Sequence, residues 1–332
     1  MIVADLQTPA LVIDATAFTH NITTMAQARP GSSLRPHVKA HKCTALAQSQ
    51  FAAGHTAFCA ATPKEILGMA HAGLGDDLLL ANETLDVARL QAMAKITPSV
   101  TIAVDSDETI AVAARAGIQR VLIDVNVGLP RCGCRPKDAG RLGDLARSRG
   151  LEVRGVMGYE GHAVGVVPRI ERTAICEASM EQLAIAHRLV GGDVVSAGGT
   201  GTFDISPIPS EIQAGSYALM DTAYSQLDIP FRQALWISTT VISARSHYAV
   251  GDCGLKALGM DHGLPTIADH DVMLCSDEHI TFTPAARIGS KMMIAPAHVD
   301  PTAAYHDVFH VADGPGLEAH IIDAWPINLR GW

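Results

Sequence analysis

The chain has 332 residues, with 25 lysines and arginines against 34 aspartates and glutamates. The formal net charge of −9 argues against non-specific binding to nucleic acid or to an anionic membrane, because both require a basic face. A hydrophobic fraction of 48% excludes intrinsic disorder and predicts a sizeable core. The length fits two domains, or one large α/β barrel with an appendage.

The sequence carries no pattern typical of a membrane span or of export. No uncharged apolar run approaches the ~18 residues of a span, and the opening MIVADLQTPALVID lacks the basic region of a signal peptide. The seven cysteines are scattered without a disulfide pattern, and Cys132 and Cys134 lack the spacing of a zinc ribbon. We therefore expect a cytoplasmic protein in a reducing compartment.

Short β-rich runs alternate with alanine-rich helical runs over the first two thirds of the chain. Strands are predicted at residues 34–38, 57–61, 77–81, 100–105, 121–127, 153–159, 194–197 and 211–215. Helices are predicted at residues 15–28, 45–53, 63–72, 82–94, 108–116, 136–148 and 170–190. Repeating βα units with short connections imply a parallel sheet, and eight of them favour an α/β fold of the (β/α)₈ TIM-like barrel type.

The pattern changes after about residue 227. Short strands are predicted at residues 236–244, 271–274, 278–282, 291–295, 304–311 and 317–324. Their spacing, with Gly, Pro, Asp and His between them, is typical of a small, mainly β domain. Residues 10–14 could add a strand to it. We therefore expect a barrel domain over residues 14–227 and a β domain over residues 228–332 together with residues 1–13.

Lys39 lies in the run RPHVKAHK, which closes the first predicted barrel strand. The carboxyl ends of barrel strands carry catalysis in this architecture. Val38 and Lys39 would alternate across a strand, so one side chain can point into the barrel mouth. A lysine there is a candidate for imine formation with a carbonyl cofactor. The alternative is an ordinary solvated basic loop.

Two glycine-rich loops follow the seventh and eighth predicted strands. The first, SAGGTGT, contains Thr200 and Gly201, and the second, AGSY, contains Gly215, Ser216 and Tyr217. Glycine lets backbone N–H groups approach an anion closely, and the hydroxyls add further donors. Because loops at these two positions form the usual phosphate site of such barrels, we expect phosphate binding here rather than two ordinary tight turns.

Two other barrel loops offer candidates for ligand contacts. Tyr159 ends the sixth predicted strand, and it either lines the mouth beside an aromatic cofactor or belongs to the core. His162, three residues later, could carry protons. Arg131 follows the fifth strand, where it could bind a carboxylate or oxyanion or serve only as an ion-pair partner.

The run PAHVDPT in the second domain places His298 two residues before Asp300. On an extended segment both side chains would share a face. An imidazole and a carboxylate so placed begin a site for a borderline or hard divalent metal. A chance surface pair is the alternative, and His279 and the pair His306-Asp307 compete as ligands.

These motifs together resemble a known family. RPHVKAHK, TPKE, DVNVGLPRCG, MGYEGH, SAGGTGTF, EIQAGSY, GDCGLKAL, SDEH and PAHVDPT occur in family order. The chain resembles the pyridoxal-phosphate enzymes that pair an alanine racemase-like barrel with a β domain. Within them it is similar to the branch of D-threonine aldolases and D-serine dehydratases, and most similar to the metal-activated aldolases.

The resemblance implies a role for each candidate residue. Lys39 is the Schiff-base lysine, Tyr159 approaches the pyridine nitrogen, and Arg131 lies near the cofactor's ring oxygen. The cofactor phosphate lies among Thr200, Gly201, Gly215, Ser216 and the amide of Tyr217. His298 and Asp300 match the metal ligands, and an aspartate at position 300, where the dehydratases have cysteine, favours Mn²⁺, with Mg²⁺, Co²⁺ or Zn²⁺ as alternatives.

The implied activity is metal-dependent retro-aldol cleavage of D-3-hydroxy amino acids, such as D-threonine, to glycine and an aldehyde. Dehydration of D-serine-like substrates uses almost the same residues and remains an alternative. A non-catalytic pyridoxal-phosphate-binding protein is a further alternative, although it would need neither the β domain nor the His-x-Asp pair. A racemase is another, and a metal requirement would count against it. The resemblance also implies a homodimer that binds small D-amino acids. From the net charge we expect no nucleic-acid or membrane partner.

Overall fold

The computed structural model describes residues 1–332 and contains sixteen strands and eight α-helices. The strands are β1 (Ala10–Asp14), β2 (Ala57–Ala60), β3 (Asp77–Leu80), β4 (Thr101–Val104), β5 (Arg120–Asp124), β6 (Glu152–Met157), β7 (Val194–Ala197), β8 (Glu211–Ile212), β9 (Leu235–Ala244), β10 (Ala249–Gly251), β11 (Thr266–Ile267), β12 (Asp271–Cys275), β13 (Ile280–Thr283), β14 (Lys291–Ala295), β15 (Val308–Ala312) and β16 (Ile321–Pro326). The helices are α1 (Ala15–Ala28), α2 (Thr44–Ala52), α3 (Pro63–His71), α4 (Val87–Ile96), α5 (Asp107–Arg115), α6 (Ala139–Ser148), α7 (Arg169–Val190) and α8 (Val299–Tyr305).

The chain divides into two compact units. The barrel unit comprises Met25–Lys39, Ala47–Gly215 and Leu329–Trp332. The β unit comprises Met1–Thr24, Ala40–Leu46 and Ser216–Asn328. No helix in either unit combines the length and the apolar composition that crossing a bilayer would require.

The barrel unit contains a curled parallel sheet in the order β2-β3-β4-β5-β6-β7-β8. A helix lies between each pair of consecutive strands from β2 to β7, whereas β7 and β8 are joined by a turn-rich loop. Strand order follows chain order because each βα unit returns beside the strand before it. The predicted TIM-like class is confirmed, and the loops that follow the strands meet at one edge of the sheet.

The first predicted barrel strand, residues 34–38, is not a regular strand. Isolated parallel bridges join Leu34 to Ile212 and His37 to Cys59, and Val38–Ala40 is a 3-10 helix. The prediction was wrong because proline lacks the N–H that a ladder needs. Pro36 contributes only its carbonyl, which accepts a 2.9 Å hydrogen bond from the backbone N–H of Cys59. The segment therefore lies between β8 and β2, and isolated bridges rather than a continuous ladder join it to them.

Alternation along the strands sorts the apolar side chains into two buried clusters. Phe58, Leu78 and Leu80 belong to the large cluster that includes residues of the surrounding helices. Cys59 and Leu79, one position out of step, belong to a smaller cluster with residues of β4, β5 and β6. Strands buried on both faces are expected in a parallel sheet covered by helices.

A buried ionic network lies in the same unit. The guanidinium of Arg35, 2% exposed, donates to Glu211 at 2.8 Å and to both carboxylate oxygens of Asp77 at 3.2 and 3.0 Å. Arg154 adds a 3.1 Å bond to Asp77. Burial alone would raise the pKa of Asp77, but hydrogen bonds and charge from the two arginines hold it below its ordinary value.

The β unit is built on a nine-stranded sheet in the order β12-β13-β10-β9-β1-β15-β16, with β14 pairing with β9 and β11. Strand β1 lies antiparallel to β9 and parallel to β15. The expectation that residues 10–14 add a strand to the C-terminal sheet is therefore confirmed.

Two further predictions differ from the structure. Residues 304–311 were expected to form one strand, but α8 extends to Tyr305 and β15 begins only at Val308. Helix α4 begins at Val87 rather than at residue 82, because the side chain of Asp86 caps it by accepting from the N–H of Arg89.

Candidate active site and metal pair

The structure brings three of the predicted site residues of the barrel unit together. The Nζ atom of Lys39 lies 5.8 Å from the ring centroid of Tyr159, and the Cζ atom of Arg131 lies 5.3 Å from the same centroid. Both cations are thus within the range of a cation–π contact. Tyr159 is half-buried rather than enclosed in the core, and with Arg131 it lines a small cavity at the end of β5.

Lys39 reaches this position from a 3-10 turn rather than from a strand. The alternation of Val38 and Lys39 across a strand therefore does not apply. Val38 is fully buried in the large apolar cluster, and Lys39 is half-buried. The turn therefore places Val38 in the core and leaves Lys39 partly exposed, which is the separation that was expected of a strand.

The two glycine loops follow neighbouring parallel strands. Thr200 and Gly201 follow β7, and Gly215 follows β8. The pairing continues past β8, since the N–H of Gln213 donates to the carbonyl of Ala197 at 2.9 Å. The remaining residues of the second loop, Ser216 and Tyr217, begin the 3-10 turn Ser216–Ala218.

Gly199 allows the first loop to pass close to Tyr159. A Cβ atom on Gly199 would lie 3.4 Å from the Tyr159 ring and 3.0 Å from a methyl group of Val164. A larger residue would therefore displace the loop or the ring. Because position 199 is glycine, the loop backbone and the Tyr159 ring can lie side by side. A site for a flat ligand with an anionic end requires this arrangement.

Glu160 supports this loop through hydrogen bonds, and it was not among the site residues predicted from the sequence. Its carboxylate is fully buried and accepts bonds from the Thr202 hydroxyl at 2.6 Å and the Gly198 N–H at 3.2 Å. The Thr202 hydroxyl in turn accepts from the N–H of Gly199 at 3.1 Å. Burial raises the pKa of Glu160, against the opposing effect of these donors. An acid between two glycines in MGYEGH was the available signal.

A second buried carboxyl group lies at the same edge. Asp124 ends β5 and borders the cavity beside Arg131. Burial, followed by the charge of Glu83 and a hydrogen bond with it, raises the pKa of Asp124 well above its ordinary value. His162, by contrast, packs its ring against Gly128, where a Cβ atom would lie only 2.9 Å away, and lies 3.4 Å from the hydroxyl of Ser179.

In the β unit the structure pairs His298 with Asp300. The Nε2 atom of His298 lies 3.7 Å from the Oδ2 atom of Asp300. Two metal–ligand bonds of about 2.0–2.2 Å can span that separation, so one divalent ion fits between the two atoms. The extended geometry expected for this segment was wrong, because His298 is the N-cap of α8 and Asp300 lies in its first turn.

The opposite edge of the His298 ring is also occupied. Both carboxylate oxygens of Asp261 lie near Nδ1, at 2.9 and 2.8 Å, and the ring of His262 stacks on that of His298 at 3.8 Å. Burial works to raise the pKa of Asp261, but the hydrogen bond and charge of His298 hold it below the ordinary value. Asp261 lies 37 positions away in the sequence, and no local pattern marked it.

The backbone around His298 is fixed on both sides. The buried carboxylate of Asp221 accepts from the N–H of Val299 at 3.0 Å. The hydroxyl of Thr302 donates to the carbonyl of His298 at 2.6 Å and accepts from the N–H of Gly259 at 2.9 Å. Of the competing ligands, His306 instead directs Nε2 at the carbonyl of Ala257, at 2.9 Å.

Comparison with known proteins agrees with this architecture. A family model described as alanine racemase, N-terminal domain, matches residues 13–208, and one described as putative serine dehydratase domain matches residues 234–312. The D-threonine aldolase of Arthrobacter sp. is 32% identical over 99% of this chain and 94% of its own length. The 3-hydroxy-D-aspartate aldolase of Paracoccus denitrificans (strain Pd 1222) is 28% identical over 99% and 93%.

Among solved structures, the D-threonine aldolase from Filomicrobium marinum matches with a TM-score of 0.90 and 34% identity, over 98% of this chain and 96% of that one. The fold and the matching N-terminal model define an alanine racemase-like protein. Within that class, the chain belongs to the pyridoxal-phosphate-dependent family of D-threonine aldolases and D-serine dehydratases.

Proposed function

We propose that the protein is a pyridoxal-phosphate- and divalent-metal-dependent lyase that cleaves D-3-hydroxy amino acids of the D-threonine type to glycine and an aldehyde. The observation that carries the proposal is the 3.7 Å pair of His298 Nε2 and Asp300 Oδ2. A carboxylate at this position supplies a hard oxygen ligand where a dehydratase of the family would supply a thiolate. The named relatives, both aldolases, support the same reading.

The residues around Tyr159 suit the cofactor. Pyridoxal phosphate, when bound, supplies an electron sink for a developing carbanion. We assign Lys39 to hold its aldehyde, because the Lys39 amine lies over the Tyr159 ring at 5.8 Å. Tyr159 would contact the pyridine ring, and Arg131, 5.3 Å from Tyr159, would balance negative charge at its edge. Thr200, Gly201, Gly215, Ser216 and the Tyr217 amide would bind the phosphate.

The metal pair has a separate task. His298 and Asp300 would hold a divalent ion, most consistent with Mn²⁺, that acts as a Lewis acid toward the 3-hydroxyl group of the substrate. Retro-aldol cleavage requires removal of the proton from this oxygen, whereas dehydration requires departure of the oxygen itself. An anionic oxygen ligand and a hard ion favour the first outcome.

Dehydration is the second candidate, because the matching C-terminal model is described as a putative serine dehydratase domain. The two activities give different products from one substrate. D-Threonine yields glycine and acetaldehyde by retro-aldol cleavage, and 2-oxobutanoate and ammonia by dehydration.

The experiment that tests the proposed function compares the holoenzyme with Asp300→Ala on D-threonine, D-serine and 3-hydroxy-D-aspartate, with Mn²⁺ and after chelation. We expect glycine formation that falls by at least about 100-fold on chelation and equally in Asp300→Ala. Asp277→Ala is the matched control, since Asp277 is an exposed acid of the same unit whose nearest cation, Lys256 Nζ, is 3.9 Å away. Metal-independent turnover, or a silent Asp300→Ala substitution, would refute the proposal.

A further inference from the structure

We propose that Asp261 is a positioning residue for the metal site, one that fixes the tautomer and ring orientation of His298. This inference rests on the proposed function, because it takes His298 and Asp300 as the ligands. Its physical basis is that a ligating imidazole commonly donates its second N–H to a carboxylate, which orients the ring and strengthens the metal bond.

The contacts of Nδ1 define the tautomer. Both oxygens of Asp261 lie within 2.9 Å of this nitrogen, and a carboxylate can only accept a hydrogen bond. Nδ1 therefore carries the proton. An imidazole that binds a metal is neutral and has one N–H, so its lone pair would then be on Nε2, the atom that faces Asp300 at 3.7 Å.

The ring is also held on its face and at its backbone. His262 stacks on His298 with an interplanar angle of 15°, which limits rotation of the ring. Hydrogen bonds from Val299 to Asp221 and from Thr302 to His298 fix the backbone. Asp261 thus acts on a side chain that has little other freedom, and its contribution is the direction of the Nε2 lone pair.

If Asp261 and His298 formed only an ordinary surface ion pair, replacing Asp261 would leave the affinity for metal unchanged. The side chain of Asp261 is 59% exposed, and exposed pairs contribute little to stability. A positioning role, in contrast, predicts a loss of metal affinity without a loss of fold. Asp261 also lies close enough to His262 and His298 for the three to hold an ion among themselves, so the test must separate orientation from ligation.

The experiment strips the holoenzyme of metal and measures Mn²⁺ binding by calorimetry in Asp261→Ala, Asp261→Asn and His262→Gln. We expect the Mn²⁺ dissociation constant to rise 10- to 100-fold in Asp261→Ala. It should rise less in Asp261→Asn, whose amide oxygen still accepts from Nδ1–H, and less in His262→Gln, which removes the stacked ring but no hydrogen bond to Nδ1. The melting temperature of the metal-free protein should not change.

The visible spectrum of the Co²⁺-loaded protein adds a readout of coordination, recorded at saturating metal. Band positions in Asp261→Ala should match those of the unmodified protein, since no ligand is removed. A changed spectrum together with lost binding would make Asp261 a ligand, and an unchanged Mn²⁺ affinity would make it a surface ion pair; either overturns the inference. If His298→Ala and Asp300→Ala retain full Mn²⁺ affinity, the proposed metal site itself fails, whatever Asp261 does.

Discussion

At the scale of single residues, charge placement dominates the barrel site. Lys39 and Arg131 both lie over Tyr159, whose electron-rich ring partly offsets the repulsion between two cations. The buried Asp124 and the half-buried Glu83 form an acidic pair at the same edge. The site therefore combines two cations with a carboxyl group, Asp124, whose pKa is raised by burial and by the neighbouring Glu83.

Borohydride reduction tests the assignment of Lys39. A cofactor held by its amine should give the purified protein a visible absorption band that is lost on reduction, with the added mass on the peptide containing Lys39. Lys42, three residues away in the same run, is the internal control. Peptide mapping by mass spectrometry decides, and an adduct on Lys42 alone would contradict the assignment.

The raised pKa of Asp124 predicts a pH-dependent stability. Above about pH 4 the unfolded chain ionises this carboxyl group, whereas its raised pKa in the folded protein shifts ionisation to a higher pH. Its stability contribution is therefore full below the unfolded pKa and is lost as pH rises through the folded pKa. Asp124→Asn should gain melting temperature relative to the unmodified protein as pH rises from 4 to 9. A constant difference across that range in scanning calorimetry would argue against it.

At the scale of elements, the helices and strands that were predicted correctly have a clear hydrophobic periodicity or a capping motif. Helix α1 and strand β7 match their predicted bounds, and α3 begins at Pro63 with a capping box between Thr62 and Glu65. The strand predicted at residues 34–38 was wrong because Pro36 has no backbone N–H to donate to a β-ladder. The extended geometry predicted around His298 was wrong because a short helix, α8, begins there. Pro301 lies in its first turn, a position that proline tolerates.

Contacts between elements distant in sequence were beyond prediction. Glu160 reaches the loop at Thr202 across 42 positions, and Asp261 reaches His298 across 37. The glycines around Glu160 in MGYEGH do not indicate its partner, and no local pattern marks Asp261, because side-chain hydrogen bonds of this kind depend on how elements pack. The residues proposed to contact ligands were predicted from motifs, whereas Glu160 and Asp261, proposed to hold them in place, were recognised only in the structure.

Glu160 provides a test at the element scale. Glu160→Ala leaves the O–H of Thr202 and the N–H of Gly198 without their acceptor in a buried loop, at about 1–3 kcal/mol for each group. We expect at least about a tenfold rise in the cofactor dissociation constant by fluorescence titration, with a smaller effect in Glu160→Gln. Glu152→Ala on the exposed end of β6 is the control. Unchanged retention in Glu160→Ala would exclude a supporting role for the buried carboxylate.

At the scale of the whole molecule, each unit contributes a different chemical capability. The barrel unit contains Lys39, Arg131 and Tyr159, which we propose to hold the cofactor, and the β unit contains the His298–Asp300 pair, which we propose to bind the metal. The predicted class of fold and the family are confirmed. The homodimer stays a prediction, and light scattering on the active protein at micromolar concentration would test it by distinguishing 35.0 kDa from twice that mass.

We propose that the protein breaks the Cα–Cβ bond of a D-3-hydroxy amino acid rather than its Cβ–O bond. The most direct measurement incubates the Mn²⁺-loaded holoenzyme with D-threonine and quantifies glycine, acetaldehyde, 2-oxobutanoate and ammonia in the same sample. We predict glycine and acetaldehyde in equal amounts. Formation of 2-oxobutanoate and ammonia in their place would contradict the account and identify the protein as a dehydratase.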